Sequence, residues 1–216
     1  MISFDPIKLT MEKQDKRSSI LAAAERLFSE LGYEGTSIRL IGKEADANLS
    51  MISYYFGSKE GVFLEIMSER IKGFNAELIR IATEPVTAKE KMLWIIEGYT
   101  RRILSGIAFH KIMHRELTLE QRPELSTKIK EAIKTNLRVI EEIIEEGINA
   151  GEFRQTDTRM VISTIMGTIS HVALTPSKLI PCSVLDISKP EERELISQRV
   201  IKHLQELIIM YLTPQQ

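Results

Sequence analysis

Residues 20–66 read ILAAAERLFSELGYEGTSIRLIGKEADANLSMISYYFGSKEGVFLEI, and the spacing within this stretch decides the fold. Ile20, Ala24, Leu27, Phe28 and Leu31 recur every three or four residues, which places them on one face of a helix. The stripe predicts a helix from about Asp15, ended by Gly32 as a C-terminal cap. Thr36 and Ser37 then form an N-cap pair ahead of Ile38, Ile41 and Ala45, enough for a helix of two turns. Asp46-Ala47-Asn48 reads as a tight connection into a second short helix, Leu49 to Tyr55, ending at Phe56-Gly57. Ser58 caps a longer helix carrying Phe63, Ile66, Met67 and Ile71, which runs to about Thr83 before Glu84-Pro85 breaks it.

Two short helices joined by a tight turn, behind a longer first helix, make a helix-turn-helix. The second of the pair must be short and projecting to enter a DNA major groove about 12 Å wide. Ile52 and Phe56, four residues apart, form its inward set, which Leu49 would extend by three; Asn48, Ser50, Met51 and Ser53 are left facing outward.

The same 47 residues resemble the N-terminal signature of the TetR family of transcriptional regulators. The likeness lies in the AA-x-x-LF first helix, the G-Y-x-x-T-S link, the I-x-x-E-A helix and YYFGSKEGVF, all at the right spacing. The resemblance implies an all-α homodimer with an N-terminal DNA reader and a divergent C-terminal sensor of small molecules. It implies that Thr36 and Ser37, at the start of the second helix, bind phosphate through exposed N–H groups and a hydroxyl. Tyr54 and Tyr55 fall at the family's aromatic positions, where a phenol reaches phosphate and a ring packs along sugar. The alternative for both, as for Phe56, is a place in the core. Lys59, in the first turn of the long helix, is expected to reach the same backbone. Base reading falls to Ser50, Met51 and Ser53, with Asn48 and Leu49 beside them. Two residues depart from the family pattern. Asp46 stands where a turn glycine is usual, and aspartate tolerates the left-handed conformation at a cost of order 1 kcal/mol. Ser53 replaces a frequent tyrosine and removes one contact.

Composition restricts what such a protein does. The chain has 216 residues, 43% hydrophobic and 27% charged, with 6% aromatic, an ordinary globular balance favouring helix over sheet. Net charge is −1, and residues 1–60 hold eight Lys/Arg against nine Asp/Glu. DNA binding must therefore depend on where charges sit, such as Lys8, Lys13, Lys16 and Arg17 at the first helix. The single cysteine, Cys182, excludes an internal disulfide framework and fits a reducing cytoplasm. MISFDPIK at the start lacks the pattern of a secretory signal. The longest uncharged run, Met160 to Ser177, is broken by polar residues and falls short of the ~20 apolar residues that span a bilayer. A buried helix is expected there, and no membrane partner.

Beyond Pro85 the periodicity is helical throughout. Helices are predicted from Thr87 to Ser105, Phe109 to Glu120, Pro123 to Ala150 with Gly151 after it, Asp157 to just before Pro176, and Pro190 to Leu212. The total is about nine helices, no strand and no internal repeat. The division expected is a DNA-binding domain over 1–57 and a ligand-sensing, dimerising domain over 58–216, joined by the helix 58–83. Phe74, Trp94, Tyr99, Phe109, His110, Met113 and His114 are candidates to line a ligand pocket, and equally candidates for plain core. His110 and His114 share a helix face at metal-ligand spacing, but no third ligand completes a set. No nucleophile stands by either histidine, and neither HExxH nor a phosphate loop occurs, so no catalytic residue, metal or cofactor is assigned. Ser163, Gly167 and Ser170 give one helix a small-residue face; Ile196, Val200, Leu204, Leu207 and Tyr211 give the last an apolar stripe. With the resemblance, these read as the homodimer interface.

The function expected is a ligand-responsive regulator, a repressor leaving a palindromic double-stranded DNA operator when a small-molecule effector binds. An architectural or division-control DNA-binding protein is the rival on the same fold; an all-helical enzyme would need a site that the sequence does not show.

Overall fold

A computed structural model describes residues 6–119, 123–175 and 185–214. Cys182 lies outside these residues. The elements are α1 (Pro6–Gly35), α2 (Ile38–Glu44), α3 (Leu49–Phe56), α4 (Lys59–Thr83), α5 (Ala88–Ser105), α6 (Ile107–Leu119), α7 (Pro123–Asn149), α8 (Thr158–Leu174) and α9 (Pro190–Leu212). Among the described residues there is no strand.

The caps expected at Ser37, Ser58 and Asp157 are observed, Ser58 accepting from Gly61 N at 3.1 Å, and Asn48 and Thr87 cap two further helices. Ser37 accepts from Leu40 N at 3.1 Å to start α2, Asn48 accepts from Met51 N at 2.8 Å to start α3, and Asp157 accepts from Arg159 and Met160 N to start α8. Thr87 and Glu90 close a reciprocal capping box on α5. The Glu90 carboxyl is held below its ordinary range by its hydrogen bonds from the Thr87 side chain and backbone. Gly32 interrupts α1 with φ 75°. The largest difference in boundary is that α1 begins at Pro6, not near Asp15; it also continues past the kink at Gly32 to Gly35, and α6 begins at Ile107 rather than Phe109. Pro6 is the start signal, since proline lacks the N–H that the first turn leaves unbonded and its φ already suits a helix.

The chain forms two compact units. The first holds residues up to Arg70 with Lys111–Ile129; the second holds Ile71–His110 and the residues from Lys130 onward. In the first, Ile20, Ala24, Leu27 and Phe28 of α1, Ile41 of α2, Ile52 of α3 and Val62 and Phe63 of α4 are buried. Phe28, Tyr33 and Phe63 make an aromatic trio with ring centroids 5.2–5.4 Å apart, a geometry that adds to plain burial. Arg17 spans from α1 to Glu65 and Glu69 of α4, and Arg70 of α4 returns to Glu25 of α1. The hydrogen bond to Glu69 leads the influences holding the Arg17 guanidinium above its ordinary pKa.

In the second unit the core is long and aliphatic. Ile95, Ile96 and Leu104 of α5, Ile140 and Ile144 of α7, Ile165 and Ile169 of α8, and Leu204 and Ile208 of α9 are all buried in one cluster. Polar ties hold its helices in register: Lys91 Nζ reaches both carboxylate oxygens of Glu146 at 3.0 Å, Arg101 grips Glu194, and Gln205 donates to the Leu93 carbonyl at 3.1 Å.

Candidate DNA-binding surface and sensor interior

The turn between α2 and α3 depends on one residue. Asp46 has φ 48°, the only positive φ outside glycine among the described residues. Its backbone carbonyl accepts from Lys16 Nζ at 2.7 Å, so α1 braces the turn that the missing glycine would have eased. The last turn of α3 is fixed from the other side. A Cβ on Gly61 would overlap the Phe56 carbonyl oxygen, so only glycine lets the first turn of α4 seat against the end of the short helix. Arg17 lies over the Phe56 ring, 5.6 Å from its centroid.

With α3 so held, Ile52 is fully buried, while Leu49, Ser50, Ser53 and Tyr54 are exposed and Met51 and Tyr55 are half-buried. Tyr54 is 77% exposed, its ring edge-on to Tyr55 at 5.3 Å. Leu49 does not extend the inward set as expected; it sits at the exposed start of the helix. Asn48 Oδ1 accepts from both Met51 N and the Ser50 hydroxyl. Its amide NH₂ remains as a donor, and Ser50 is left with acceptor lone pairs. Phe56 is half-buried beneath Arg17 rather than fully in the core.

Two expected phosphate ligands have other work. Thr36 is 1% exposed and its hydroxyl donates to the Gly32 carbonyl at 2.9 Å, closing the α1–α2 link. Ser37 beside it is exposed and, having accepted from Leu40 N, still holds a proton to donate. Lys59 Nζ donates to the Tyr33 and Thr36 carbonyls at 3.0 and 3.1 Å and sits 4.1 Å above the Tyr33 ring. Two of its three N–H groups thus fasten the link preceding α2. A residue the sequence reading passed over is Arg39, exposed on α2, with Lys43 one turn later on the same exposed face. Their spacing of four was the available signal, since the first helix of such a pair crosses the DNA backbone.

The sensor candidates divide. Phe74 and Tyr99 meet at 5.2 Å in the second unit, with Arg102 over the Phe74 ring. Burial pushes the Tyr99 phenol up to about 12. Phe109 is buried, and so is His110, whose Nε2 is 3.1 Å from Ser170 Oγ. Trp94 is 40% exposed, because α5 buries Met92, Ile95 and Ile96 and turns position 94 outward. Met113 and His114 belong to the first unit's stretch of α6, the former half-buried and the latter exposed. His110 and His114 therefore face different surroundings. Among the described residues no group of three His, Cys, Asp or Glu is placed to hold a metal, and no helix is long and apolar enough to cross a membrane.

The expected dimer residues also divide. Ile196 and Leu204 are buried within their own chain, and Val200 packs against the same cluster. Ser170 is half-buried on His110, whereas Ser163, Gly167, Leu207 and Tyr211 are exposed. The stripe read from the sequence mixed two faces of α9: Ile201, Leu204, Ile208 and Leu212 go inward, and Leu195, Met210 and Tyr211 go outward. Met160 and Met210 are 60% and 71% exposed; methionine in a run of apolar residues carries no mark of its direction.

Among the described residues, the geometry defines a helix-turn-helix protein with a separate helical unit of aliphatic core. Comparison with known proteins gives the family. Residues 20–66 match "Bacterial regulatory proteins, tetR family", and residues 58–176 match "YsiA-like protein, C-terminal region". The chain is 28% identical over 165 residues to the "Fatty acid metabolism regulator protein" of Bacillus subtilis (strain 168), covering 76% of this chain and 84% of that one. It is 31% identical over 147 residues to the "Probable HTH-type transcriptional regulator YttP" of the same organism, covering 65% and 69%. The structure of "transcriptional regulator FadR from Bacillus subtilis in complex with stearoyl-CoA" matches with a TM-score of 0.68 at 25% identity, covering 90% of this chain and 98% of that one. A Clostridium perfringens "putative fatty acid metabolism regulator" shares the fold with a TM-score of 0.74 at 19% identity, covering 91% and 100%.

The chain belongs to the TetR family. It is a DNA-binding regulator of transcription, as its relatives are.

Proposed function

We propose that this chain represses genes by holding a palindromic operator as a homodimer, and that a long-chain acyl-CoA thioester releases it. One observation carries the effector class: the likeness extends through the sensor half, to a regulator of fatty acid metabolism and to a structure holding stearoyl-CoA. The aliphatic interior of the second unit supports it, since burying an acyl chain contributes about 0.8 kcal/mol per CH₂. Residues 1–57 read DNA and 58–216 sense and dimerise, with α4 shared between the roles. Ser50, Met51 and Ser53 read bases, flanked by Asn48 and Leu49; Ser37, Tyr54, Tyr55, Arg39 and Lys43 meet phosphates and sugars; Thr36 and Lys59 hold the link that aims α2. Phe74, Tyr99, Phe109 and His110 form the polar-edged aromatic wall of the effector site. Ser163, Gly167, Leu207 and Tyr211, with Met160 and Met210, form the dimer face. Two-fold symmetry then sets half-sites one helical turn apart, roughly 34–36 Å.

Selection of bound duplexes from random DNA, followed by fluorescence anisotropy with stearoyl-CoA, stearate and CoA, tests the proposal. The expected result is a palindromic site released by stearoyl-CoA and not by CoA alone. A selected site that stays bound at saturating stearoyl-CoA would remove the effector assignment; a selection with no two-fold repeat would remove the palindrome.

A further inference from the structure

The second unit carries a groove between α7 and α8, apart from the aromatic wall, with a volume of about 690 Å³. That lies within the range of small-molecule sites, ~300–1,000 Å³. Its floor is Leu137, Ile162 and Met166. Ile162 is part of the buried core and the other two pack against it, so the apolar floor is continuous with the interior. Its rim holds Lys134, Arg138 and Arg159 against one carboxylate, Glu141. Arg159 is 3.4 Å from Glu141, and Arg138 is 2.9 Å from Glu142 on the same helix. Both pairs are solvent-facing, so they are weak and yield readily to a multiply charged anion. Lys134 makes no ion pair among the described residues.

An apolar floor under a cationic rim complements a ligand that joins phosphates to a long uncharged arm, as the pantetheine arm and phosphates of an acyl-CoA are joined. Resting on the effector class proposed above, we propose that this groove holds the phosphorylated end of an acyl-CoA. Lys134, Arg138 and Arg159 take its phosphates, and Leu137, Ile162 and Met166 flank the pantetheine arm that leads from them toward the acyl chain. A second copy of this chain fits the groove less well. A symmetric dimer sets a patch against itself, and a surplus of cations there repels its twin. At about 100° per residue, Arg159, Ile162 and Met166 share one flank of α8, while the exposed Met160, Thr164, Gly167 and His171 share the other. Ser163, which also lines the groove, lies on the border between them. The dimer face and the groove therefore occupy neighbouring flanks of α8.

The test compares wild-type protein with the triple variant Lys134→Glu/Arg138→Glu/Arg159→Glu, titrated with stearoyl-CoA and with stearate, which lacks the phosphates. Thermal melting and sedimentation check fold and oligomeric state. The expected result is stearoyl-CoA affinity at least tenfold weaker, stearate affinity within about twofold, and an unchanged dimer. Equal stearoyl-CoA affinity in the two proteins overturns the proposal, and so does equal loss of both ligands. A variant that becomes monomeric overturns it by assigning the groove to the subunit interface. Arg159→Gln and Lys134→Gln, each expected to weaken stearoyl-CoA alone, keep the test open if the triple variant fails to fold. Wild-type protein that does not bind stearoyl-CoA defeats the effector class itself, a result read before any variant is made.

Discussion

The two units are both helical and both built on a buried apolar core, yet they specify themselves differently. In the first, individual residues meet geometric demands that nothing else satisfies: Gly61 under the Phe56 carbonyl, Asp46 at φ 48°, Thr36 tied to Gly32, and Lys59 capping two carbonyls. In the second, the core is dominated by isoleucine and leucine, which fill volume and fix no particular atom. A DNA reader must present a few side chains at fixed positions, whereas a sensor must enclose a ligand and needs only a cavity of the right size and polarity. The first constraint leaves a motif in the sequence; the second leaves a composition. That is why the family likeness is legible in residues 20–66 and the effector is not.

The comparison can be broken most severely in the reader's core. Phe63→Ala is expected to cost about 3–5 kcal/mol, as for buried aromatic truncations, because Phe63 is fully buried and holds Phe28 and Tyr33. Ile169→Val in the sensor should cost only about 0.5–1.5 kcal/mol. Urea melts measure both, with Ile52→Val, equally buried in the reader, as the matched partner of Ile169→Val; equal losses for the two isoleucines would show that the units are equally tolerant.

A smaller effect probes a nearly buried ammonium in the sensor. Glu146→Gln strands Lys91, whose side chain is 5% exposed, while Lys91→Met leaves a carboxylate that is already 53% exposed. The first should cost roughly 1–3 kcal/mol, less than a fully buried pair because Glu146 meets water, and the second should be close to neutral. A reversed order in chemical denaturation would contradict this account. Tyr54→Ala removes an exposed ring and should leave the melting temperature unchanged while weakening operator binding about tenfold, the scale of one good contact to DNA. Anisotropy at two salt concentrations checks it; unchanged affinity would exclude Tyr54 from the contact set.

The smallest effect is at the turn. Asp46→Gly relieves a strained φ and should stabilise by no more than about 1 kcal/mol. Its exposed ion pair with Lys16 contributes little, and the Lys16 bond to the residue-46 carbonyl survives the change. A destabilised Asp46→Gly variant would mean that the carboxylate, not the backbone, makes the turn.

Much of the helical architecture was legible because local rules set it: caps at Ser37, Ser58 and Asp157, prolines at the starts of α7 and α9 and a positive-φ glycine at 32 each act within a few residues of chain. Asp46 was likewise readable as a turn residue. What only tertiary structure decided is which way side chains of equal character face. Ile196 and Leu204 went inward and Leu207 and Met210 outward on one helix. Thr36 became a buried strut while Ser37 next to it stayed exposed, and Lys59 turned to protein carbonyls. The physical reason is that periodicity fixes the angular spacing of side chains and not the rotation of the helix against its neighbours. A hydroxyl or an ammonium bonds to whichever partner packing brings within reach. The sequence by itself determined the reader and its caps; the packing of distant segments determined which groups remain to meet DNA, effector or a second subunit.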